Sequence, residues 1–265
     1  MRLSAFTLIA FFVAAGCATT PEQNPSEIYD PFENFNRQVY GFNESVDKAV
    51  IGPVANGYSR TVPKQARSGL RNFIANANSP VTFVNDVLQG KPQRAAETFS
   101  RFIINSTVGL GGLFDVAGDS GLEQHTEDFG QTLGVWGVPM GPYFVAPLLG
   151  PSNLRDTTGR VVDIAFDPLT WIGFSTNNLN AYLGGAETVA VAIDTRAELD
   201  SALEVIRSQP EPYTALRRGY ASQRRSAIRD GAQSDDGFDD LPDFDEFDDF
   251  DDDFDADFDA LEPEE

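Results

Sequence analysis

One thiol, one imidazole and a run of carboxylates are what this chain offers for chemistry. Cys17 is the single cysteine and His125 the single histidine among 265 residues. A lone cysteine has no internal disulfide partner. It follows Ala14-Ala15-Gly16, and Leu3 to Ala15 is apolar but for Ser4 and Thr7, behind a short start of Met1-Arg2. A charged start, an apolar run too short to span a bilayer, and small residues before a cysteine mark a lipoprotein export signal. The chemistry expected is cleavage before Cys17 and acylation of its thiol, although Ala14 stands where the cleavage pattern usually has Leu. The alternative is an ordinary signal peptide with an incidental cysteine. Each buried methylene of an attached lipid contributes ~0.8 kcal/mol of membrane affinity, so one short chain holds reversibly and several hold for good. Ala18, not Asp, follows the cysteine, which favours the outer membrane over retention at the inner one.

Catalysis has little else to draw on. His125 stands in Gln-His-Thr-Glu, and a lone histidine is more often structural than catalytic. There is no Gly-x-Ser-x-Gly elbow and no His-Glu-x-x-His helix, so a serine hydrolase built on His125 lacks flanking support. Gly109-Leu110-Gly111-Gly112 follows a helical pattern and is not continued by Gly-Lys-Ser/Thr, which makes it a poor phosphate loop. The acidic tail lacks the glycine and ligand spacing of a calcium loop. No catalytic residue, resident metal or cofactor is expected.

Charge divides the chain. The net charge is −22, yet residues 230–265 carry 19 of the 41 acidic residues and no Lys or Arg. The remainder holds 22 acidic against 19 basic residues, a nearly neutral body that disfavours nucleic-acid binding. Four parts follow: a signal peptide (1–16), a lipidated linker with Pro21 and Pro25 (17–29), a helical body (30–231) and an Asp/Phe tail (232–265). In the tail, Leu241, Phe244, Phe247, Phe250, Phe254, Phe258 and Leu261 recur at steps of three and four. Such a segment is disordered in isolation. It is a solvated tail, or it folds against a basic, grooved partner, for which Arg217 to Arg229 of its own last helix compete.

The elements that would position any site are helical. Asp30-Pro31 reads as an N-cap with proline at the first helical position, followed by a stripe of Phe32, Phe35, Val39, Phe42 and Val46 to about Lys48. That stripe is expected mostly in the core. Further helical patterns open at Pro63 and again at Ser79-Pro80, and others run over Arg94–Thr107, Pro151–Ala165, Asn177–Ser208 and from Pro212 to near Gly231. No alternating strand of six or more residues appears, so the body is expected to be all-α. Gly109–Gly121 and Gly130–Gly150 are loops dense in glycine, proline and large apolar residues. Loops are ordinarily polar and on the surface. These are either buried under helices or set against lipid, and a lipid anchor favours the second.

Several of these segments resemble the MlaA (VacJ) family of outer-membrane lipoproteins. The likeness is carried by Asp30-Pro31-Phe32-Glu33-Asn34-Phe35-Asn36-Arg37 with Tyr40, Phe42 and Asn43, then by Val62-Pro63 with Arg67 to Phe73, and Arg101 to Asn105. It continues in Gly109 to Ala117, Glu127 to Gly134, and Gly141-Pro142-Tyr143 with Pro147, Gly150, Arg155 and Asp156. It spans about Asp30 to Tyr220 and leaves the tail outside. The resemblance implies an all-α, ring-like body in the inner leaflet of the outer membrane. An amphipathic channel there would remove phospholipids from the outer leaflet and pass them to a soluble periplasmic carrier, beside a trimeric porin, with no reaction and no cofactor. Alternatives are a membrane-tethered phospholipid hydrolase and a structural lipoprotein that scaffolds porins. The channel or gate is expected among Phe35, Asn36, Arg37, Tyr40, Phe42, Asn43, Gly134, Trp136, Pro139, Met140, Gly141, Pro142, Tyr143 and Arg155. Glycine supplies the turns a gate needs. Arg37 and Arg155 would meet head-group phosphate or, equally, pair with a carboxylate such as Asp156.

Overall fold

The computed structural model describes residues 28–167, 189 and 191–231. The signal segment, Cys17, the linker, the start of the Asn177–Ser208 pattern and the Asp/Phe tail lie outside the described residues.

Helix α1 (Glu33–Val46) does not start on Asp30. Phe32 takes the cap position without a side-chain hydrogen bond. The Asp30 carboxylate is turned inward instead, accepting from Asn36 Nδ2 at 2.8 Å, from Arg217 Nη1 at 2.8 Å and from the Tyr213 hydroxyl. Nor does the helical path end near Lys48. It widens into a π-helical stretch (Asp47–Ile51) and continues as α2 (Gly52–Thr61), with a proline at its start.

Helix α3 (Lys64–Leu88) carries Pro80 in its interior, so Ser79-Pro80 does not open a second helix. A proline there forfeits one backbone hydrogen bond. Ser79 turns its hydroxyl onto Ala75 O at 3.1 Å, and packing against α4 (Pro92–Thr107) carries the helix through. A short α5 (Val116–Asp119) and α6 (Phe129–Val135) follow, capped by the carboxylates of Asp115 and Asp128.

The glycine- and proline-rich segment contains an antiparallel hairpin that no polarity alternation announced. Strand β1 (Tyr143–Ala146) pairs with β2 (Gly150–Asn153) in the register Tyr143↔Asn153 to Ala146↔Gly150. Positive φ at Leu148 (+64°) and Gly150 (+79°) closes the three-residue connection. Pro151 to Asn153 therefore belong to a strand, and α7 runs only over Leu154–Phe166, with Asn153 as its cap. Residues 191–198 are helical, Leu199 interrupts, and α8 (Asp200–Ser208) and α9 (Pro212–Ile228) complete the described chain. Among the described residues the architecture is helical, with one small two-stranded sheet.

The apolar core is small. Val39, Tyr143, Val145 and Tyr213 form its centre, with Ile28, Tyr40 and Tyr220 packed around them. Many buried positions are polar or charged, among them Asn36, Asn85, Asp86, Thr132, Asn153 and Asp156. Conversely Phe32, Phe35 and Phe42, expected in the core, are each more than half exposed. Only Val39 of the α1 stripe is buried outright.

Candidate functional site

The candidate residues meet around the hairpin. Asn36, fully buried one turn into α1, donates from Nδ2 to Tyr143 O at 3.3 Å and accepts the Val145 N–H on Oδ1 at 3.0 Å. Two turns on, Asn43 Nδ2 donates to Ala146 O at 3.1 Å and Oδ1 accepts the Leu148 N–H at 2.8 Å. An amide offers one donor side and one acceptor side, as an extended backbone does. Asparagines seven residues apart on one helix face thus act as two rungs that pair α1 with the free edge of β1. At its own start β1 is tied to the linker side by Tyr143 N–H donating to Tyr29 O at 2.9 Å.

Aromatic packing reinforces the rungs. Tyr213 stands edge-on to Tyr40 at 6.0 Å and to Tyr143 at 6.4 Å, and Tyr220 lies 6.0 Å from Tyr143. Burial pushes the Tyr143 hydroxyl well above its ordinary titration range, and burial with the Asp30 carboxylate does the same to Tyr213. Burial raises Tyr220 likewise, so the Tyr143, Tyr213 and Tyr220 phenols are neutral at any physiological pH.

Behind β2 is a charged cluster. Asn153 Nδ2, the Tyr220 hydroxyl and Arg224 Nε converge on Asp156 Oδ2 at 2.7, 2.6 and 2.8 Å. Arg155 Nε meets Asp156 Oδ1 at 3.0 Å, and Arg224 also holds Asp128 through two contacts of 2.6 and 2.8 Å. Burial alone would raise the Asp156 and Asp128 carboxyls; Arg224 and the hydrogen bonds outweigh it and hold both below their ordinary value.

Of the two arginines expected at a head group, Arg155 is buried on Asp156, with Nη2 left without a hydrogen-bond partner. Arg37 is exposed, bonded to Glu33 at 2.9 Å and Glu211 at 3.3 Å, with its guanidinium 4.6 Å from the Tyr213 ring centre. Gly134 packs against Ile228 and Arg155, where a Cβ would come within 2.5 Å of Ile228 Cδ1. Met140 and Pro142 lend their carbonyls to the first residues of α7, and Gly141 turns between them with φ of +70°. Trp136 is half exposed, its Nε1 donating to Leu88 O at 3.1 Å, and Pro139 is exposed beside it. Phe35 and Phe42 face outward from α1, on neither rung.

Nothing in the sequence singles out Tyr213 and Tyr220, and Arg217 and Arg224 stand out in it only as part of a basic helix. These four stand at steps of 4, 3 and 4, so their periodicity was visible, but as a polar stripe. The expectation for Arg217 to Arg229 is a basic face available to the tail. Arg217 and Arg224 are committed inward, to Asp30 and to Asp128 with Asp156. His125 is also engaged: its Nε2 lies 3.2 Å from both Asp86 oxygens and 3.1 Å from Thr98 Oγ1, and that hydroxyl donates to Asp86 at 2.7 Å. Among the described residues no cluster of His, Cys, Asp and Glu has the form of a metal site.

Comparison with known proteins places these residues in a family. A model described as MlaA lipoprotein matches residues 28–227. The intermembrane phospholipid transport system lipoprotein MlaA of Shigella flexneri is 38% identical over 239 residues, covering 88% of this chain and 90% of that protein. Its counterpart in Haemophilus influenzae is 34% identical over 232 residues, covering 84% and 89%. A solved structure concerned with the structural basis for maintenance of bacterial outer membrane lipid asymmetry superposes with a TM-score of 0.68 at 34% identity. It covers 75% of this chain and 98% of its own.

Proposed function

Because the chain belongs to the MlaA lipoprotein family, we propose that it is an outer-membrane lipoprotein that gives misplaced phospholipids a path out of the outer leaflet, maintaining lipid asymmetry. The observation that carries this reading is the apolar exterior of the body: large apolar side chains stand exposed, while amides and ion pairs fill much of the interior around a small apolar core. Phe32, Phe35, Phe42, Trp136, Leu148 and Leu149 are all more than half exposed. In water such a surface invites aggregation; against acyl chains it is matched. Among the described residues no helix is long and apolar enough to cross a membrane. The body is therefore held against lipid by its faces and by the acylated Cys17, as an inner-leaflet resident would be.

A phospholipid head dragged through hydrocarbon is costly, whereas a polar interior inside an apolar shell lowers that cost. The Arg155 guanidinium nitrogen without a partner is the group a head-group phosphate would engage. The hairpin, pinned at two rungs and bounded by glycines, is the gate. In this proposal the lipid passes to a soluble periplasmic carrier and a trimeric porin stands beside the protein, the partners that the sequence resemblance implies.

Substitution within Gly134–Gly150 tests this against the scaffold alternative. A Gly141→Val variant, strained at its positive φ, should raise outer-leaflet phospholipid while protein abundance and porin association hold. Unchanged outer-leaflet phospholipid, with porin association lost, would favour the scaffold.

A further inference from the structure

A second polar feature lies away from the hairpin. A cavity of about 70 Å³ opens between α3, α4 and the segment 115–126, lined by Asn72, Asn76, Arg101, Asn105, Asp115 and His125, with Gln124 also in its wall. That is room for a few water-sized groups. On the same helices Phe73, Phe99 and Ile103 stand exposed, and Leu113 and Phe114, just before Asp115, are exposed as well. A polar hole in an apolar face is the shape of an amphiphile's site.

The charges inside favour a cation. Arg101 Nη2 meets both Asp115 oxygens at 2.8 Å, so that pair is mutually neutralised. Asp86, fully buried behind His125, adds a further negative charge. A carboxylate only accepts, so the His125 nitrogen facing it, Nε2, donates. Asn76 offers the cavity an acceptor. It is more than nine-tenths buried, spends Nδ2 on Ser106 Oγ at 2.9 Å, and its Oδ1 has no partner. With the Arg101–Asp115 pair neutralised, an anion entering here would meet the field of Asp86. A group bringing N–H donors and positive charge would meet that field and Asn76 Oδ1.

We propose that this cavity binds the primary ammonium of an ethanolamine-type phospholipid head group, its acyl chains running out past Phe73, Phe99 and Ile103. The inference rests on the phospholipid reading above and adds a head-group preference to it.

The test uses the purified full-length lipoprotein in detergent, titrated with dihexanoyl phosphatidylethanolamine, phosphatidylcholine and phosphatidylglycerol. The ethanolamine lipid should bind about tenfold more tightly than either of the others, since choline has no N–H to donate and glycerol no charge to match. Gln124 is exposed at the cavity wall, its Oε1 accepting from Arg101 Nη2 at 3.3 Å, and Gln124→Lys sets a second cation there. It should erase that preference and leave phosphatidylglycerol binding intact, which also shows the variant is folded. Asn76→Leu, removing the buried acceptor, should weaken the ethanolamine lipid alone. Equal affinities for all three lipids, or an ethanolamine preference that survives both substitutions, would overturn the ammonium site and leave transport standing. Binding of none of the three would bring down the transport reading with it.

Discussion

Asn43 holds Leu148 in place: its Oδ1 accepts the Leu148 N–H at 2.8 Å while its Nδ2 reaches Ala146 O at 3.1 Å. Leu148 has φ of +64°, a left-handed backbone that a branched L residue adopts only when its surroundings insist. The asparagine thus helps to stabilise a turn that thrusts Leu148 and Leu149 outward, 59% and 76% exposed.

The two rungs should differ in weight. Asn36→Ala leaves the Val145 N–H and Tyr143 O unpaired in a buried setting, and also releases Asp30, so about 3 kcal/mol should be lost. Asn43→Ala frees groups nearer solvent and should cost about 1 kcal/mol. Denaturant titration in detergent, followed by tyrosine fluorescence, checks the order; equal losses would show that the inner rung is not special.

Glycine matters at one helix crossing. A Cβ at Gly159 in α7 would lie 2.2 Å from Gly130 N in α6, and backbone cannot yield as a side-chain tip can. Gly159→Ala should cost about 3 kcal/mol or fail to accumulate. Gly57→Ala in α2 meets nothing within 4 Å and should gain up to about 1 kcal/mol. Thermal melts of the pair decide it, and a harmless Gly159→Ala would refute the close crossing.

What could be read in the sequence, and what could not, follows from the solvent. Helical periodicity survives any environment, so the helical class, α4 and α9 were legible. The sign of a stripe is not: a rule made for water assigns Phe32, Phe35 and Phe42 to the core, and they face out. The same rule assigns the stripe Tyr213, Arg217, Tyr220 and Arg224 to the surface, and it faces in. Strand β1, Tyr143-Phe144-Val145-Ala146, shows no alternation because all four of its residues are apolar or aromatic. Asn36 and Asn43 were marked only by the family resemblance, since nothing about an asparagine in a helix announces that it pairs with a strand.

Acid should loosen the charged cluster. Asp128 and Asp156 sit below their ordinary value of 3.8, so the stability they contribute is complete above about that pH and drains away as pH falls through their lower folded values. Glu127 and Asp163, raised by burial, act oppositely: their contribution is present in acid and fades as pH rises through their folded values. Wild-type protein should therefore lose stability below about pH 3.8, and Arg224→Met, weaker at neutral pH, should lose less over the same range. Parallel acid slopes for the two would show that Arg224 does not set those carboxyls.

The exposed hairpin tip should act as a membrane contact. In a Cys17→Ala background, which removes the anchor, the body should still float with phospholipid vesicles, and Leu148→Asp with Leu149→Asp should reduce flotation several-fold without unfolding it. Charges on a lipid-facing surface are costly. Flotation unchanged by the double substitution would place the tip away from lipid.

Transport itself is tested most directly by surface labelling of phosphatidylethanolamine on intact cells that lack this protein and any second copy. The account predicts a clear rise in outer-leaflet label, reversed by the intact gene and not by Cys17→Ala. No rise in that strain would contradict it.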